Sequence, residues 1–241
     1  MTFSLVTRCT RTGQFGVAAC TAMPGVGKIV SHARAKVGAI ATQATMNPYH
    51  GIDGLMMLAQ GMSAEQVLHA ILQRDRDLPH RQFGIIDSSG QTAAWTGNQT
   101  PGWAGHILVE NIAAQGNRLV GRETLEAAID ALINSRGDLA RRLVKALAAG
   151  ERTGADREGA RSAAVYVVDT EEYPLWDMRA DLAKDPVKTL RKIEPAYRRR
   201  LLPQIRRTMP KRSDPSGQLL EPQLGEIHSR RRFSSTQEIK P

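Results

Sequence analysis

The sequence predicts an α+β fold of four layers, αββα, in which two antiparallel sheets are covered on their outer faces by pairs of helices. Segments with period two and with period 3.6 follow one another as strands, two helices, strands, two helices and strands. This order differs from the strand–helix alternation that a parallel sheet requires. Because 41% of the residues are hydrophobic and only 5% are aromatic, the core must consist mainly of aliphatic side chains.

Turn and cap residues delimit the elements in the first third of the chain. The Pro- and Gly-containing stretch 22–36 is predicted to be a loop, and a helix is predicted over 51–61. A second helix begins at Ser63, whose spacing to Gln66 is that of a capping box. The predicted strands of this part cover residues 2–8, 14–21 and 37–44.

The rest of the chain repeats this arrangement. A Ser-Ser-Gly turn at 88–90 predicts a hairpin, and residues 106–117 are compatible with one strand or two short ones. Gly150 ends the second pair of helices. The other predicted strands cover residues 81–87, 91–97, 161–169 and 175–182, and the other helices cover 122–133, 138–150 and 185–194.

The formal net charge of +9 lies mostly in the C-terminal part of the chain. From Pro195 onward there are 11 Lys and Arg against 4 Asp and Glu, whereas the preceding residues hold 22 against 20. A nucleic-acid-binding domain would carry this charge on its folded body, so nucleic acid is not an expected partner. We predict a domain over residues 1–195 and a basic, largely disordered tail over 196–241.

Cysteine placement and hydropathy bear on the compartment. Cys9 and Cys20 lie in the first two predicted strands, several residues out of register, so a disulfide is not expected. No apolar run approaches the roughly 18 residues that a membrane helix needs. We therefore expect a cytoplasmic protein without a membrane partner, and a homo-oligomer is left open.

Thr2 stands at the start of the first predicted strand. Methionine is usually removed when a small residue follows it, so Thr2 is a candidate N-terminal residue. It would then carry a hydroxyl nucleophile and an α-amine whose reference pKa, about 7.7–8.0, suits a general base. Many proteins begin with Met-Thr, and this feature alone does not define a function.

Further polar residues stand at the ends of predicted strands. Asn117 follows an apolar strand in AAQGN, where its amide can donate to an oxyanion or can simply cap a turn. Asp156, Arg161 and Ser162 surround a Gly-containing loop before a buried strand, an arrangement also typical of a solvated charge cluster.

No motif for a metal or a cofactor is present. None of the six histidines has ligand spacing to another His, Cys or carboxylate. The segment PGVGK lacks the phosphate-loop frame, because Ile29 follows Lys28, and there is no G-x-S-x-G motif. We expect neither a metal nor a cofactor.

Taken in order, the segments resemble the bacterial and archaeal domain-of-unknown-function 1028 family over about residues 2–193. That family is in turn similar to the N-terminal-nucleophile hydrolases, αββα proteins that cleave amide bonds. The segments that carry the resemblance are TFSLVTR, GQFGVAAC, HARAKVGAIATQATMNP, GL..LAQGMSAEQVL, RQFGIIDSSG, PGWAGH, AAQGN, GADREGARSAAVYVV and DPVKTLRKI.

The resemblance implies roles for individual residues. Thr2 would be the nucleophile with its own amine as base, and Asn117 would be the oxyanion donor. Arg34 would tune the amine or bind an anionic group. Three residues, Asp156, Arg161 and Ser162, would hold the charge and orientation of the amine.

A substrate site is expected around Thr21, Gln43 and His106. Proteasome-type relatives place an aspartate where Thr21 stands and a lysine where Arg34 or Lys36 stands, so this chain departs from that pattern. The sequence thus predicts a cofactor-free amidohydrolase for a small or peptide-like amide. The alternative is a binding or structural protein that keeps the fold without the chemistry.

Overall fold

Strand pairing defines the centre of the structure. The computed structural model describes residues 1–155 and 159–216, and within them ten strands form two antiparallel sheets. The strands are β1 (Thr2–Arg8), β2 (Phe15–Thr21), β3 (Ser31–Arg34), β4 (Gly38–Ala44), β5 (Arg81–Asp87), β6 (Thr92–Thr96), β7 (Trp103–Val109), β8 (Ile112–Leu119), β9 (Ser162–Val168) and β10 (Trp176–Ala180). The larger sheet has the order β10-β9-β2-β1-β8-β7, and the smaller sheet has the order β3-β4-β5-β6.

The described residues form seven helices, and five of them cover the outer faces of the sheets. They are α1 (Val26–Ile29), α2 (Pro48–Ala59), α3 (Ala64–Arg74), α4 (Glu123–Asn134), α5 (Leu139–Arg152), α6 (Pro186–Arg200) and α7 (Leu202–Thr208), with a 3₁₀ turn at Leu78–His80. The smaller sheet packs on α2 and α3, and the larger sheet packs on α4, α5 and α6. The predicted αββα order of layers is confirmed.

Alternation along β1 shows how the layers are held together. Phe3 and Leu5 point to the helices of the larger sheet and are fully buried there. Val6 points the other way, into the apolar contact between the two sheets. Because successive side chains of a strand face opposite sides, one strand serves two cores. A third apolar cluster, which contains Ile40 and Phe83, joins the smaller sheet to its helices.

Local signals account for most element boundaries. The capping box of Ser63 and Gln66 is present at the start of α3. The helix before it begins at Pro48 rather than at residue 51, because the side chain of Asn47 accepts a hydrogen bond from the backbone of Tyr49. The stretch 106–117 lies in two strands, with Asn111 in a left-handed conformation between them.

The loop predicted over residues 22–36 contains two short elements instead, α1 and β3. β3 is a four-residue edge strand whose sequence, SHAR, has no apolar alternation. It exists because it pairs with β4. Tertiary pairing therefore defines a strand that local sequence does not signal.

Ordered helix continues past the predicted end of the folded domain at residue 195. Tyr197 in α6 stacks on Trp176, with ring centroids 4.9 Å apart, and Leu202 in α7 is buried. Arg198 lies over the Trp176 ring and donates two hydrogen bonds to Asp138. Residues 196–208 thus pack on the body, and the division between domain and tail stays a prediction.

No helix in the described part of the chain is both long enough and apolar enough to cross a membrane.

We predict that a chain ending at residue 195 is less stable than one ending at residue 208 by about 2–4 kcal/mol, because it loses the aromatic stack on Trp176 and the burial of Leu202. Urea unfolding of the two truncated chains measures the difference. Equal stabilities would show that α7 and the end of α6 contribute nothing to the fold.

Candidate functional site

Four polar side chains lie in a row across the larger sheet. Thr2 is paired with Asn117 in β8 and with Thr21 in β2, and Thr21 is paired with Ser162 in β9. Directly opposed residues of antiparallel strands face the same side, so all four face the same way as Val6, toward the smaller sheet. The structure therefore brings these four predicted residues together.

The hydroxyl of Thr21 connects Thr2 with the residue before it. Thr21 Oγ1 donates to the carbonyl oxygen of Met1 at 2.7 Å and lies 2.9 Å from Thr2 Oγ1. A hydroxyl has a single proton, so Thr2 is the donor in the contact between the two threonines. Thr21 thus contacts atoms on both sides of the peptide nitrogen of Thr2. Met1 itself is buried.

Two glutamines of the smaller sheet meet this row. Gln43 in β4 and Gln82 in β5 oppose each other, and both are buried. Gln82 Oε1 accepts hydrogen bonds from Gln43 Nε2 at 2.8 Å and from Asn117 Nδ2 at 2.9 Å. Gln43 Nε2 also lies 3.4 Å from the carbonyl oxygen of Thr2. The side-chain amide of Gln82 therefore orients Asn117 directly. It also holds Gln43, which in turn contacts the backbone of Thr2.

The network continues between the sheets through Ser4. Ser4 Oγ donates to Gln43 Oε1 and accepts from Gln115 Nε2, both at 2.6 Å. Gly84 is required opposite Gln115, because a Cβ there would lie 2.1 Å from Gln115 Oε1. We call Ser4, Gln43, Gln82, Gln115 and Asn117 the amide network. Its five side chains are all uncharged and at most 4% exposed.

His106 is linked to the amide network through the hydroxyl of Thr96. Gln82 Nε2 donates to Thr96 Oγ1 at 3.1 Å, and Thr96 Oγ1 lies 2.9 Å from His106 Nδ1. Burial lowers the pKa of His106, which favours the neutral ring. The single proton of Thr96 can then be donated to an unprotonated Nδ1, so the donors run from Gln82 through Thr96 to His106.

The residues that follow Gln43 and Asn117 have a left-handed backbone conformation. Ala44 after Gln43 has φ 66°, and Arg118 after Asn117 has φ 53°. The pairing of β7 with β8 also shifts register beside Asn117, and the backbone N–H of Arg118 bonds to the carbonyl of Pro101 instead. Left-handed residues with side chains are costly, and they cluster where a side chain has to be aimed.

Ser162 and Arg161 shape the wall of the site. Ser162 Oγ donates to the carbonyl of Met23 at 2.6 Å and accepts from the backbone of Val26 at 3.0 Å. The backbone N–H of Arg161 donates to the carbonyl of Thr21 at 2.7 Å, and its side chain is exposed. Both residues therefore hold the β2–α1 connection in place. Asp156 lies outside the described residues.

Arg34 is the predicted site residue that the structure places elsewhere. It pairs with Gly38, five residues before Gln43 on β4 and thus roughly 16 Å away along the strand. Its guanidinium lies 3.8 Å from the carboxylate of Glu172, in the connection between β9 and β10. The predicted position of Arg34 beside Thr2 is corrected, because β3 runs antiparallel to β4 and carries Arg34 to the opposite end.

Sequence reasoning missed the glutamine and threonine partners of the site. Gln82 and Thr96 lie in two of the predicted strands, and neither is among the predicted site residues. One signal was present in the sequence. A glutamine on the inward face of an otherwise apolar strand, as at Gln82 and Gln115, must find a partner, because a buried unpaired amide is costly.

In residues 1–155 and 159–216, no three His, Cys, Asp or Glu side chains come together as metal ligands. The hydrogen bonds that the described residues make to the row and to the amide network come from hydroxyls, amides and backbone groups, and Thr96 links the network to the imidazole of His106. This arrangement can position a nucleophile and an N–H donor.

These features define a class of protein: an αββα sandwich with a row of uncharged polar side chains at the start of its first strand. The chain belongs to the family DUF1028, described as a family of unknown function, which matches residues 2–190. This confirms the family resemblance predicted from the ordered segments.

A solved structure of the same family has a similar fold. Protein SPO2555 from Silicibacter pomeroyi is 28% identical to this chain, with a TM-score of 0.83 over 90% of this chain and 99% of that one. Anbu, the ancestral beta-subunit from Yersinia bercovieri, is 9% identical, with a TM-score of 0.39 over 84% of this chain and 97% of that one. The second likeness is too low to carry an argument. No curated protein matches the sequence.

We predict that Gln82→Met lowers the free energy of unfolding by about 2–4 kcal/mol, because it leaves the N–H groups of Gln43 and Asn117 buried without their acceptor. Urea unfolding measures the loss. Gln91→Met, at an exposed turn position, is the matched control and should change stability little. A similar effect of both substitutions would mean that the amide network does not stabilise the contact between the sheets.

We predict that His106 makes the protein less stable as the pH falls. Burial lowers its pKa in the folded state, so its contribution to stability is complete above its ordinary pKa of about 6.5 and is lost as the pH falls from there through the lower pKa of the folded state. His106→Gln should therefore lose less stability than the wild type between about pH 7.5 and pH 5 in urea unfolding. The exposed His69→Gln should follow the wild type, and a wild-type slope in His106→Gln would contradict the prediction.

Proposed function

We propose that the protein is an N-terminal-nucleophile amidohydrolase in which Thr2, freed of Met1, attacks the carbonyl carbon of a small or peptide-like amide. The observation that carries the proposal is the row in which Thr2 lies directly between Asn117 and Thr21. Membership in DUF1028 supports the fold, and the printed description of that family leaves the activity open.

The first step needs a base beside the hydroxyl of Thr2. The α-amine of Thr2 is on the same residue, and a reference pKa of about 7.7–8.0 leaves a useful neutral fraction at neutral pH. The hydroxyl oxygen bonds to the substrate carbonyl carbon, its proton passes to the amine, and the carbonyl oxygen becomes an oxyanion. The amine then returns that proton to the leaving nitrogen, which gives an ester on Thr2 that water hydrolyses.

Thr21 occupies the position from which this amine can be oriented. Its hydroxyl now donates to the carbonyl of Met1, and removal of Met1 frees the hydroxyl to contact the new amine. A hydroxyl offers a hydrogen bond without a negative charge. This hydrogen bond would orient the proposed amine, and Thr21 itself adds no charge that would hold a proton on it.

Asn117 is the proposed oxyanion donor. One N–H of its amide is held by Gln82 Oε1, which fixes the plane of the group, and the amide has a second N–H. Asn117 opposes Thr2 across adjacent strands, where the Cβ atoms of a pair are about 4.5–5.5 Å apart. A tetrahedral centre on Thr2 therefore lies within reach of that donor.

A second candidate function is a binding protein that keeps the fold without the chemistry. One observation favours it: the carbonyl of Met1 accepts hydrogen bonds from the Thr21 hydroxyl and from the backbone of Ala22, so the unprocessed end fits the site. A protein that retained Met1 would have no free amine at Thr2. The state of the N-terminus separates the two candidates.

We expect the native protein to begin at Thr2 and to gain the mass of one β-lactone when it is incubated with that electrophile, because ring opening leaves the whole reagent as an ester on the hydroxyl. Intact-mass and peptide mass spectrometry locate the adduct. Thr2→Ala should gain none, and Thr12→Ala, at an exposed turn position, should react like the wild type. Met1 retained on nearly all of the native protein would remove the proposed base and favour the binding candidate.

We expect Asn117→Ala to lower kcat on a hydrolysed amide by about 10²–10³-fold with little change in KM, since the donor acts on the oxyanion rather than on the bound ground state. Steady-state kinetics on an aryl amide selected from a panel measure the effect. Asn134→Ala, exposed at the end of α4, is the matched control. A rise in KM with kcat unchanged would show that Asn117 binds substrate and does not stabilise the oxyanion.

A further inference from the structure

A concave site lies on the opposite side of the larger sheet from Thr2. It is a cleft of about 610 Å³ between α4, α5 and α6, the helices that cover the outer face of that sheet. Its volume is within the usual range for sites that bind small molecules. We call it the helix cleft.

Five cations line the helix cleft. Three of them, Arg141, Lys145 and Arg152, follow one face of α5 at spacings of four and seven residues, which spread them over about 16 Å of helix. Arg136 comes from the connection between α4 and α5, and Arg191 comes from α6. Cations from three segments therefore converge on one concavity.

One carboxylate lines the same cleft, and it is already bound. Glu194 is buried and accepts hydrogen bonds from Arg141, at 3.3 Å and 3.5 Å, and from Arg198, which lies outside the cleft. Among the residues that the structure describes, no carboxylate forms an ion pair with Arg136, Lys145 or Arg191. The cleft thus holds an excess of positive charge whose mutual repulsion an anionic ligand would relieve.

The floor and the walls indicate the size and type of the anion. Small and aliphatic side chains, Ala131, Val144 and Ala148, leave room between the helices. None of the described residues that line the cleft is aromatic, so it offers no surface on which single-stranded bases would stack. Guanidinium groups at several heights suit phosphate groups, which accept paired hydrogen bonds from them.

We propose that the helix cleft binds a small ligand that carries a triphosphate group. The negative charges of a triphosphate match the cations that have no carboxylate partner among the described residues, and the chain of phosphates can contact α5 and α6 together. The site is independent of the chemistry proposed for Thr2, which faces the other side of the sheet.

Isothermal titration calorimetry of the full chain at physiological salt tests the proposal with two probes, inorganic tripolyphosphate and adenosine triphosphate. We expect both probes to bind with one-to-one stoichiometry. A higher affinity for adenosine triphosphate than for tripolyphosphate would show that the nucleoside is also contacted. Lys145→Ala combined with Arg191→Ala should weaken binding by at least about tenfold, because both exposed side chains would contact phosphate oxygens.

The control removes the same charge elsewhere. Arg206→Ala combined with Arg207→Ala, on exposed positions of α7, should leave the affinity unchanged. Circular dichroism and urea unfolding confirm that both double variants are folded. No binding of either probe, or equal weakening in both double variants, would overturn the proposal. A further titration uses an oligonucleotide of about 20 nucleotides, and binding of the oligonucleotide alone would overturn it as well. The last two results would indicate non-specific attraction of polyanions.

Discussion

The buried hydrogen bonds of Gln82 connect the two sheets, and the geometry of the candidate site depends on them. Its Oε1 holds Gln43 on the same sheet and Asn117 on the other, while its Nε2 reaches the carbonyl of Gly116 at 2.7 Å. A buried amide without partners would be costly, so the two sheets are stable only at the spacing and register that satisfy it. The contact that stabilises the fold is thus also the one that orients Asn117 opposite Thr2.

The two faces of the smaller sheet differ in their electrostatics at this end. Between the sheets the network is uncharged, whereas on the outer face Asp75 binds His50 at 2.7 Å and Arg81 at 2.9 Å. Burial raises the pKa of Asp75, but hydrogen bonds from the Asp77 backbone and from these side chains outweigh it, so the pKa is well below its usual range. Arg81 also donates to the carbonyl of Thr45. Charged groups therefore stabilise the strand ends on the outer face, and the amide network between the sheets consists of uncharged side chains.

Local patterns were sufficient for the layers and for most elements. Period-two alternation predicted the first strand over residues 2–8, and the Ser63–Gln66 spacing predicted a capping box, because both depend on residues that are neighbours in the chain. The site was predicted in part, since Thr2, Thr21 and Asn117 are strand ends in the same sheet. The role of Arg34 followed from the family resemblance, and the pairing of β3 with β4 places Arg34 opposite Gly38, at the other end of β4 from Gln43.

The sequence by itself determined the αββα layering, the capped helices, the distribution of charge and the membership in DUF1028, because these follow from periodicity, composition and ordered motifs. Only the tertiary structure decided that Gln43, Gln82 and Gln115 meet in one network and that cations of α5 and α6 share a cleft. A glutamine in an apolar strand has to be satisfied, but its partner is set by the register of a strand that lies far away in the chain. Long-range pairing, which local sequence does not encode, therefore completes the site.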